Sequence, residues 1–127
     1  MAKQIIHTEL APAPIGPYNQ AIKVDKTLYV SGQIPLDPVT GELVQESVQS
    51  EAHQVLKNLK AVLDAAGYTF ADVVKTTIFL RDMQHFAEVN AVYATYFTEH
   101  EPARETVAVA GLPKDVRVEI SVIAYKD

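Results

Sequence analysis

Cysteine does not occur in the 127 residues. A disulfide frame, a thiolate zinc site and a cysteine nucleophile are therefore excluded. Glycine is sparse, with five residues, and none of them falls in a G-x-G-x-x-G or Walker spacing, so no phosphate-cradling loop is expected. Lysine and arginine are scattered without a basic run, and the net charge is −5, which argues against a partner with a phosphate backbone. His7, His53, His85 and His100 have no metal-ligand spacing, and no acidic cluster accompanies them, so no metal site is expected. Ser31 lacks the strand-to-helix context of a nucleophile elbow. No apolar run approaches the length of a membrane span. The opening Met1-Ala2-Lys3-Gln4 leads into a short polar-apolar segment and not into a signal-peptide core. A cytoplasmic protein without a membrane or nucleic-acid partner is the expectation.

What remains is an ordinary globular composition, 48% hydrophobic and 21% charged, without repeats, linkers or low-complexity tracts. The length suits one domain, residues 1–127. Lys3 to His7 reads as an edge strand. Ala11-Pro12-Ala13-Pro14 cannot lie inside a sheet, because its two prolines supply no ladder donors, and so forms a surface loop leading to Tyr18. Gln20 to Val24 and Thr27 to Ser31 read as strands joined at Asp25-Lys26. A second loop runs from Pro35 to Gly41.

Val48, Ala52, Val55, Leu56, Leu59, Val62, Leu63 and Ala66 recur at three and four, the stripe of an amphipathic helix. Ser47 supplies an N-cap and Gly67 a C-terminal stop. Asp72 to Leu80 is rich in β-branched residues and apolar on both faces, which suits a central strand. Asp82 caps a second helix running to about Thr98, with Phe86, Val89, Asn90, Tyr93 and Phe97 as its stripe. Two strands then follow, with period two at Val107 and Val109 and again at Val116, Val118, Ile120 and Val122. The order implies an α/β (α+β) sandwich with both helices on one face of a mixed sheet. Ile123, Ala108, Ala110, Tyr29 and Phe79 are expected on the other face, which is too apolar to stand uncovered.

If the C-terminal valines face the core, Arg104, Thr106 and Glu119 share the opposite face. A guanidinium there could clamp a carboxylate in a bidentate pair. The ordinary alternative is an ion pair with Glu105, Glu101 or Glu119. Glu119 could orient or deprotonate a water, or simply face solvent beside Arg117. Asn90 interrupts an apolar stripe and must find a hydrogen-bond partner, structural or otherwise. Tyr18, after Gly16-Pro17, is either a pocket wall or a loop aromatic covering the core. Gly32, after Ser31, either admits a ligand close to the backbone or is a plain turn residue.

Several segments carry a resemblance: Ile15-Gly16-Pro17-Tyr18-Asn19-Gln20-Ala21, Tyr29-Val30-Ser31-Gly32-Gln33-Ile34-Pro35, Phe86-Ala87-Glu88-Val89-Asn90, and Pro102-Ala103-Arg104 followed by Leu112-Pro113 and Val118-Glu119-Ile120. In order and spacing they resemble the RidA/YjgF family of reactive-intermediate (2-iminobutanoate/2-iminopropanoate) deaminases, over nearly the whole chain. One position departs: the residue after the arginine is usually small in that family, and here it is Glu105.

The resemblance implies a chorismate-mutase-like fold, with the last strand inserted antiparallel between two earlier ones. The residues alone would pair the last two strands as a hairpin. It implies a homotrimer with a cleft at each interface. The implied activity is hydrolysis of small 2-imino acids, and their enamine tautomers, to 2-oxo acids and ammonia, without a cofactor. These imines escape from pyridoxal-phosphate-dependent dehydratases, so a functional link to such enzymes is implied. Arg104 then binds the substrate carboxylate and Glu119, with a backbone carbonyl, holds the attacking water. Tyr18, Ser31, Gly32, Asn90 and Thr106 bind substrate, Thr106 largely through its backbone. A non-catalytic small-carboxylate binder, a chaperone-like role and the endoribonuclease activity reported for some relatives are the other readings.

Overall fold

The computed structural model describes residues 2–127. Six strands form one sheet: β1 (Lys3–Ile6), β2 (Ala21–Val24), β3 (Thr27–Gln33), β4 (Val73–Leu80), β5 (Ala103–Ala108) and β6 (Val118–Tyr125), with helices α1 (Val48–Ala66) and α2 (Phe86–Tyr93). The spatial order is β1-β2-β3-β6-β4-β5. β1, β2 and β3 form an antiparallel meander. β6 returns antiparallel between β3 and β4, and β5 lies parallel to β4 at the edge. The hairpin that local sequence suggests for the last two strands is thus absent, and the inserted strand implied by the resemblance is present.

The core lies between the sheet and the helices. Val55, Leu56, Leu59 and Val62 of α1 are fully buried and meet Leu28, Ile78, Leu80, Ile120 and Ala124 from the sheet. Ser47 accepts a hydrogen bond from the Ser50 N–H, and Gly67 closes α1 in the left-handed conformation at φ 81°. α2 is shorter than its stripe predicts. Asp82 caps a single 3₁₀ turn (Met83–His85), and the α-helix ends at Tyr93 rather than near Thr98. The Thr95 hydroxyl donates to the Val92 carbonyl at 2.7 Å, and the Thr95 and Tyr96 N–H groups bond three residues back. A side chain competing for backbone acceptors loosens the helix there. Phe97 still reaches the core and stacks on Tyr93 at 4.3 Å between ring centroids.

The registers correct the expected division of faces. Arg104 stands beside Thr76, Thr106 beside Ile78 and Ala108 beside Leu80. Thr76, Ile78 and Leu80 are buried, and paired residues on neighbouring strands share a face. Arg104, Thr106 and Ala108 therefore belong to the helix side. Glu119 pairs with Phe79, and Tyr29 with Ile123, on the open side. Val107 also lies there, and it is exposed rather than part of the core. β5 sits at the sheet's edge, and its one valine, Val107, lies on the open face.

One charged pair ties the core to the loop before β6. Glu51, 1% exposed, accepts from the backbone N–H of Arg117 at 2.9 Å and pairs with its guanidinium, which also donates to the Gln45 carbonyl. Lys114 and Asp115 in this loop are both left-handed, at φ 55° and 57°. Arg81 donates to the Asp115 carbonyl.

Removing one partner of a buried pair leaves the other uncompensated. The Arg117 guanidinium is a quarter exposed and keeps the Gln45 carbonyl, so Glu51→Ala, which orphans chiefly the Arg117 N–H, is expected to lower stability by about 1–3 kcal/mol in urea unfolding. Lys60→Ala, which breaks the exposed pair with Asp64 on α1, should cost less than about 0.5 kcal/mol by the same measurement.

Candidate functional site

Two groups of candidate residues emerge, on opposite faces of the sheet. The first is built where β5 meets α2. The parallel register with β4 brings Arg104 under α2, where its NH1 donates to Asn90 Oδ1 at 2.7 Å. Its guanidinium carbon lies 4.9 Å from the Tyr93 ring centroid and 5.7 Å from that of Phe86. Both rings attract the cation through their π faces. Tyr93 is itself fixed by a buried hydrogen bond from its hydroxyl to Thr76 Oγ1, 3.2 Å long. Burial pushes its phenol pKa up, so the ring stays neutral.

Among the described residues, no carboxylate is within ion-pair distance of Arg104. Glu105 points to the other face, 3.4 Å from the Lys75 amine. The departure from the family pattern thus leaves the charge beside Arg104 unchanged. An adjoining depression of about 260 Å³ is lined by Asn90, Tyr93, Phe97, Glu101, Pro102 and Arg104. Thr106 Oγ1 is buried close by without a hydrogen-bond partner. A cation held by a neutral amide and two rings keeps its remaining N–H groups for a further anion.

The second group surrounds Glu119. β3 carries one residue more than β6 between Val30/Val122 and Gln33/Ile120, a bulge at Ser31-Gly32. The Glu119 side chain sits against that bulge. A Cβ added at Gly32 would stand 2.9 Å from the Glu119 carboxyl carbon and closer still to Oε2. Glycine at 32 therefore leaves the space that the Glu119 carboxylate occupies, and a side chain there would have to displace it, a reason that sequence alone did not supply. Burial raises the Glu119 pKa above its ordinary 4.5. A cavity of about 340 Å³ is bounded by Ile15, Tyr18, Ser31, Gly32, Ile34, Pro113 and Glu119. The Tyr18 hydroxyl accepts from the Ile15 N–H at 3.3 Å and keeps its own proton to donate. The Ser31 hydroxyl donates to the Asn19 carbonyl at 2.6 Å. Arg117, weighed as a neighbour of Glu119, is engaged by Glu51 instead.

The fold thus joins Tyr18, Ser31, Gly32 and Glu119, and separately Asn90, Arg104 and Thr106. It does not join the two groups within one chain. Phe86 and Tyr93 under Arg104 escaped the sequence reading because a helical aromatic stripe is ordinarily core. Ile15, Ile34 and Pro113 escaped because loop residues carry no periodicity. Among the described residues no group of three or more His, Asp or Glu could hold a metal ion, and no helix is long and apolar enough to cross a membrane.

The fold is a mixed α+β sheet with both helices on one face, carrying an arginine without a carboxylate partner among the described residues and a half-buried glutamate, and comparison with known sequences gives it a family. Residues 8–126 match the family model described as Endoribonuclease L-PSP. The chain is 55% identical to a RutC family protein of Pyrococcus horikoshii, over 98% of this chain and 99% of that protein. It is 53% identical to the 2-iminobutanoate/2-iminopropanoate deaminase of Mus musculus, over 98% and 92%. The structure superimposes with a TM-score of 0.95 on YyfA of Yersinia pestis, a protein of the conserved Rid family, at 50% identity and 98% and 100% coverage. This chain belongs to the Endoribonuclease L-PSP family, the RidA/YjgF family of the sequence resemblance.

Gly32→Ala tests the seat of Glu119. The added methyl should drive the carboxylate toward solvent and lower its pKa toward the ordinary range, read by ¹³C NMR titration of glutamate side chains. In the unsubstituted protein the folded-state value is the higher one. Its stabilising contribution is therefore present below about 4.5 and lost as pH rises through the folded value.

Proposed function

We propose that this chain hydrolyses small 2-imino acids such as 2-iminopropanoate and 2-iminobutanoate to 2-oxo acids and ammonia. The observation that carries this reading is the Arg104 guanidinium, fixed by Asn90 and two rings with no carboxylate among the described residues to neutralise it. It suits the one anionic group common to these substrates. The deaminase name of the mouse relative supports the same reaction.

Arg104 and Glu119 lie on opposite sheet faces, so one small molecule cannot meet both within a single chain. The active site is therefore shared between copies. One contributes Asn90, Arg104 and Thr106, and its neighbour contributes Tyr18, Ser31, Gly32 and Glu119. The open face, with Tyr29 49% exposed beside Ile123, Phe79 and Val107, supports a closed homotrimer that covers it.

In the shared site, Arg104 holds the substrate carboxylate in two parallel bonds and fixes the imine carbon. The protonated imine is the electrophile. Glu119 accepts a proton from water as the water oxygen bonds to C2, and the C=N π pair moves to nitrogen. Glu119 returns that proton to the carbinolamine nitrogen; the freed carboxylate then takes the hydroxyl proton as C=O forms and the C–N pair leaves with the nitrogen as ammonia, and Glu119 releases this second proton to solvent. A half-buried carboxyl with a raised pKa is better matched to this exchange than an exposed one. An RNA substrate, suggested by the family model's name, is disfavoured by the net charge of −5.

Arg104→Lys should lose most turnover despite keeping its charge. Arg104→Ala should lose about thirtyfold to several thousandfold in kcat/KM, with a far smaller change in Tm. A folded Arg104→Ala protein with unchanged kcat/KM refutes the clamp. Glu119→Gln should keep 2-oxo acid binding and lose roughly a hundredfold in kcat. Mixing the Arg104→Ala and Glu119→Gln proteins, after dissociation and reassembly, tests the shared site. Random trimers of the two regain about a quarter of wild-type sites, since each mixed ring has one interface with both native halves. No recovery in verified mixed trimers would assign both residues to one chain's site.

A further inference from the structure

Between β1 and β2 the chain crosses from Thr8 to Asn19 with almost no backbone ladder, since Pro12, Pro14 and Pro17 remove three donors. This segment nevertheless supplies Ile15 and Tyr18 to the cavity around Glu119. Something other than sheet pairing must hold it.

That holder is one side chain. Gln20 is 2% exposed. Its Oε1 accepts from the Thr8 N–H at 2.8 Å. Its Nε2 donates to the carbonyls of Thr8 at 2.9 Å, Pro12 at 2.9 Å and Ala11 at 3.3 Å. A primary amide has two N–H groups, so three carbonyls share them and the donor capacity is used up. On the other side, the Gln20 carbonyl accepts from the Ser31 N–H at 2.9 Å, beside the bulge that seats Glu119. Residue 20 therefore links the proline segment to the strand of the Glu119 seat. Beyond Pro12 the internal bonds are few: Ile15 N–H to the Tyr18 hydroxyl and Tyr18 N–H to the Gly16 carbonyl. Gln20 also lines a small cavity of about 30 Å³ behind Gly32, with Pro12, Ala13, Ile15 and Tyr18 on its loop side.

We propose that Gln20 is a positioning residue for the site around Glu119: its amide fastens the Thr8–Pro12 segment so that Ile15 and Tyr18 stand as a fixed wall of that pocket. The inference rests on the functional reading above. It extends that reading to a residue that touches no reacting atom. Releasing the fastener lets the wall swing out and water in. Substrate is then held less well, and the Glu119 carboxylate is better hydrated. Tyr18 is the one other titratable side chain lining the pocket.

The test is Gln20→Leu in the full-length protein, which keeps bulk and removes every amide bond. Hydrogen exchange should speed up over residues 8–18 and stay unchanged over α1. KM for 2-iminobutanoate should rise about tenfold with a smaller loss of kcat. The acid limb of the kcat/KM profile should move to lower pH, as hydration relieves the burial that raises the Glu119 pKa. A purely structural amide would lower Tm and leave KM and the acid limb in place. Faster loop exchange with both within experimental error overturns the proposal, and so does unchanged loop exchange. Gln20→Glu is the isosteric second variant; it keeps the Thr8 N–H acceptor and loses donors, so it should shift KM the same way. If both variants lose protection throughout the chain, Gln20 is a folding residue and the proposal fails. If the wild-type protein shows no hydrolysis, the functional reading fails instead. Loop exchange and calorimetric affinity for 2-oxobutanoate then still judge Gln20, with a weakening of about tenfold expected.

Discussion

Alternation along a pleated strand is the constraint from which the site's architecture follows. On β6, Val118, Ile120, Val122 and Ala124 are buried under the helices, so Glu119 must project from the other face. On β5 the register with β4 sends Arg104 to the helix side. No rotamer brings a guanidinium and a carboxylate together across a hydrogen-bonded sheet. Under the proposed function, the two groups meet one substrate only where a second copy supplies one of them.

Each half is stiffened by groups that do no chemistry. Arg104 is confined by Asn90 and by the Phe86 and Tyr93 rings, and Tyr93 is itself held by its bond to Thr76 and by stacking on Phe97. Glu119 is seated against a bulge whose glycine leaves room for its carboxylate. The loop leading into β6 is anchored by the Glu51–Arg117 pair, and the loop leading into β2 by the Gln20 amide. Fixed first contacts backed by buried polar supports are what positioning catalysis requires.

The charge placement follows the same division. Glu105 might have neutralised its neighbour in sequence, but adjacent strand residues point to opposite faces, and Lys75 receives it. Arg117 might have paired with Glu119, two residues away and one strand entry earlier, yet it turns toward the first turn of α1. Proximity along the chain was a poor guide to ion pairing, because pairing is decided by which face a side chain occupies.

Local signals determined the long α1 by its spacing, the proline loop by its missing donors, the strand character of β4 by its β-branched content and that of both C-terminal segments by their alternation, although β4 is buried on one face and not both. The motifs carried Tyr18, Ser31, Gly32, Asn90, Arg104, Thr106 and Glu119 as candidates. Only the tertiary structure decided how they divide. Val107 and Val109 alternate in sequence as cleanly as the valines of β6, yet only Val107 falls within β5, and nothing local says that it meets the open face while those of β6 meet the helices. The insertion of β6 between β3 and β4 is a long-range pairing without a local signature. The supports at Gln20 and Glu51 were illegible for the same reason: a glutamine and a glutamate become structural only when distant backbone groups, at Thr8 to Pro12 and at Arg117, arrive beside them and cannot reach water.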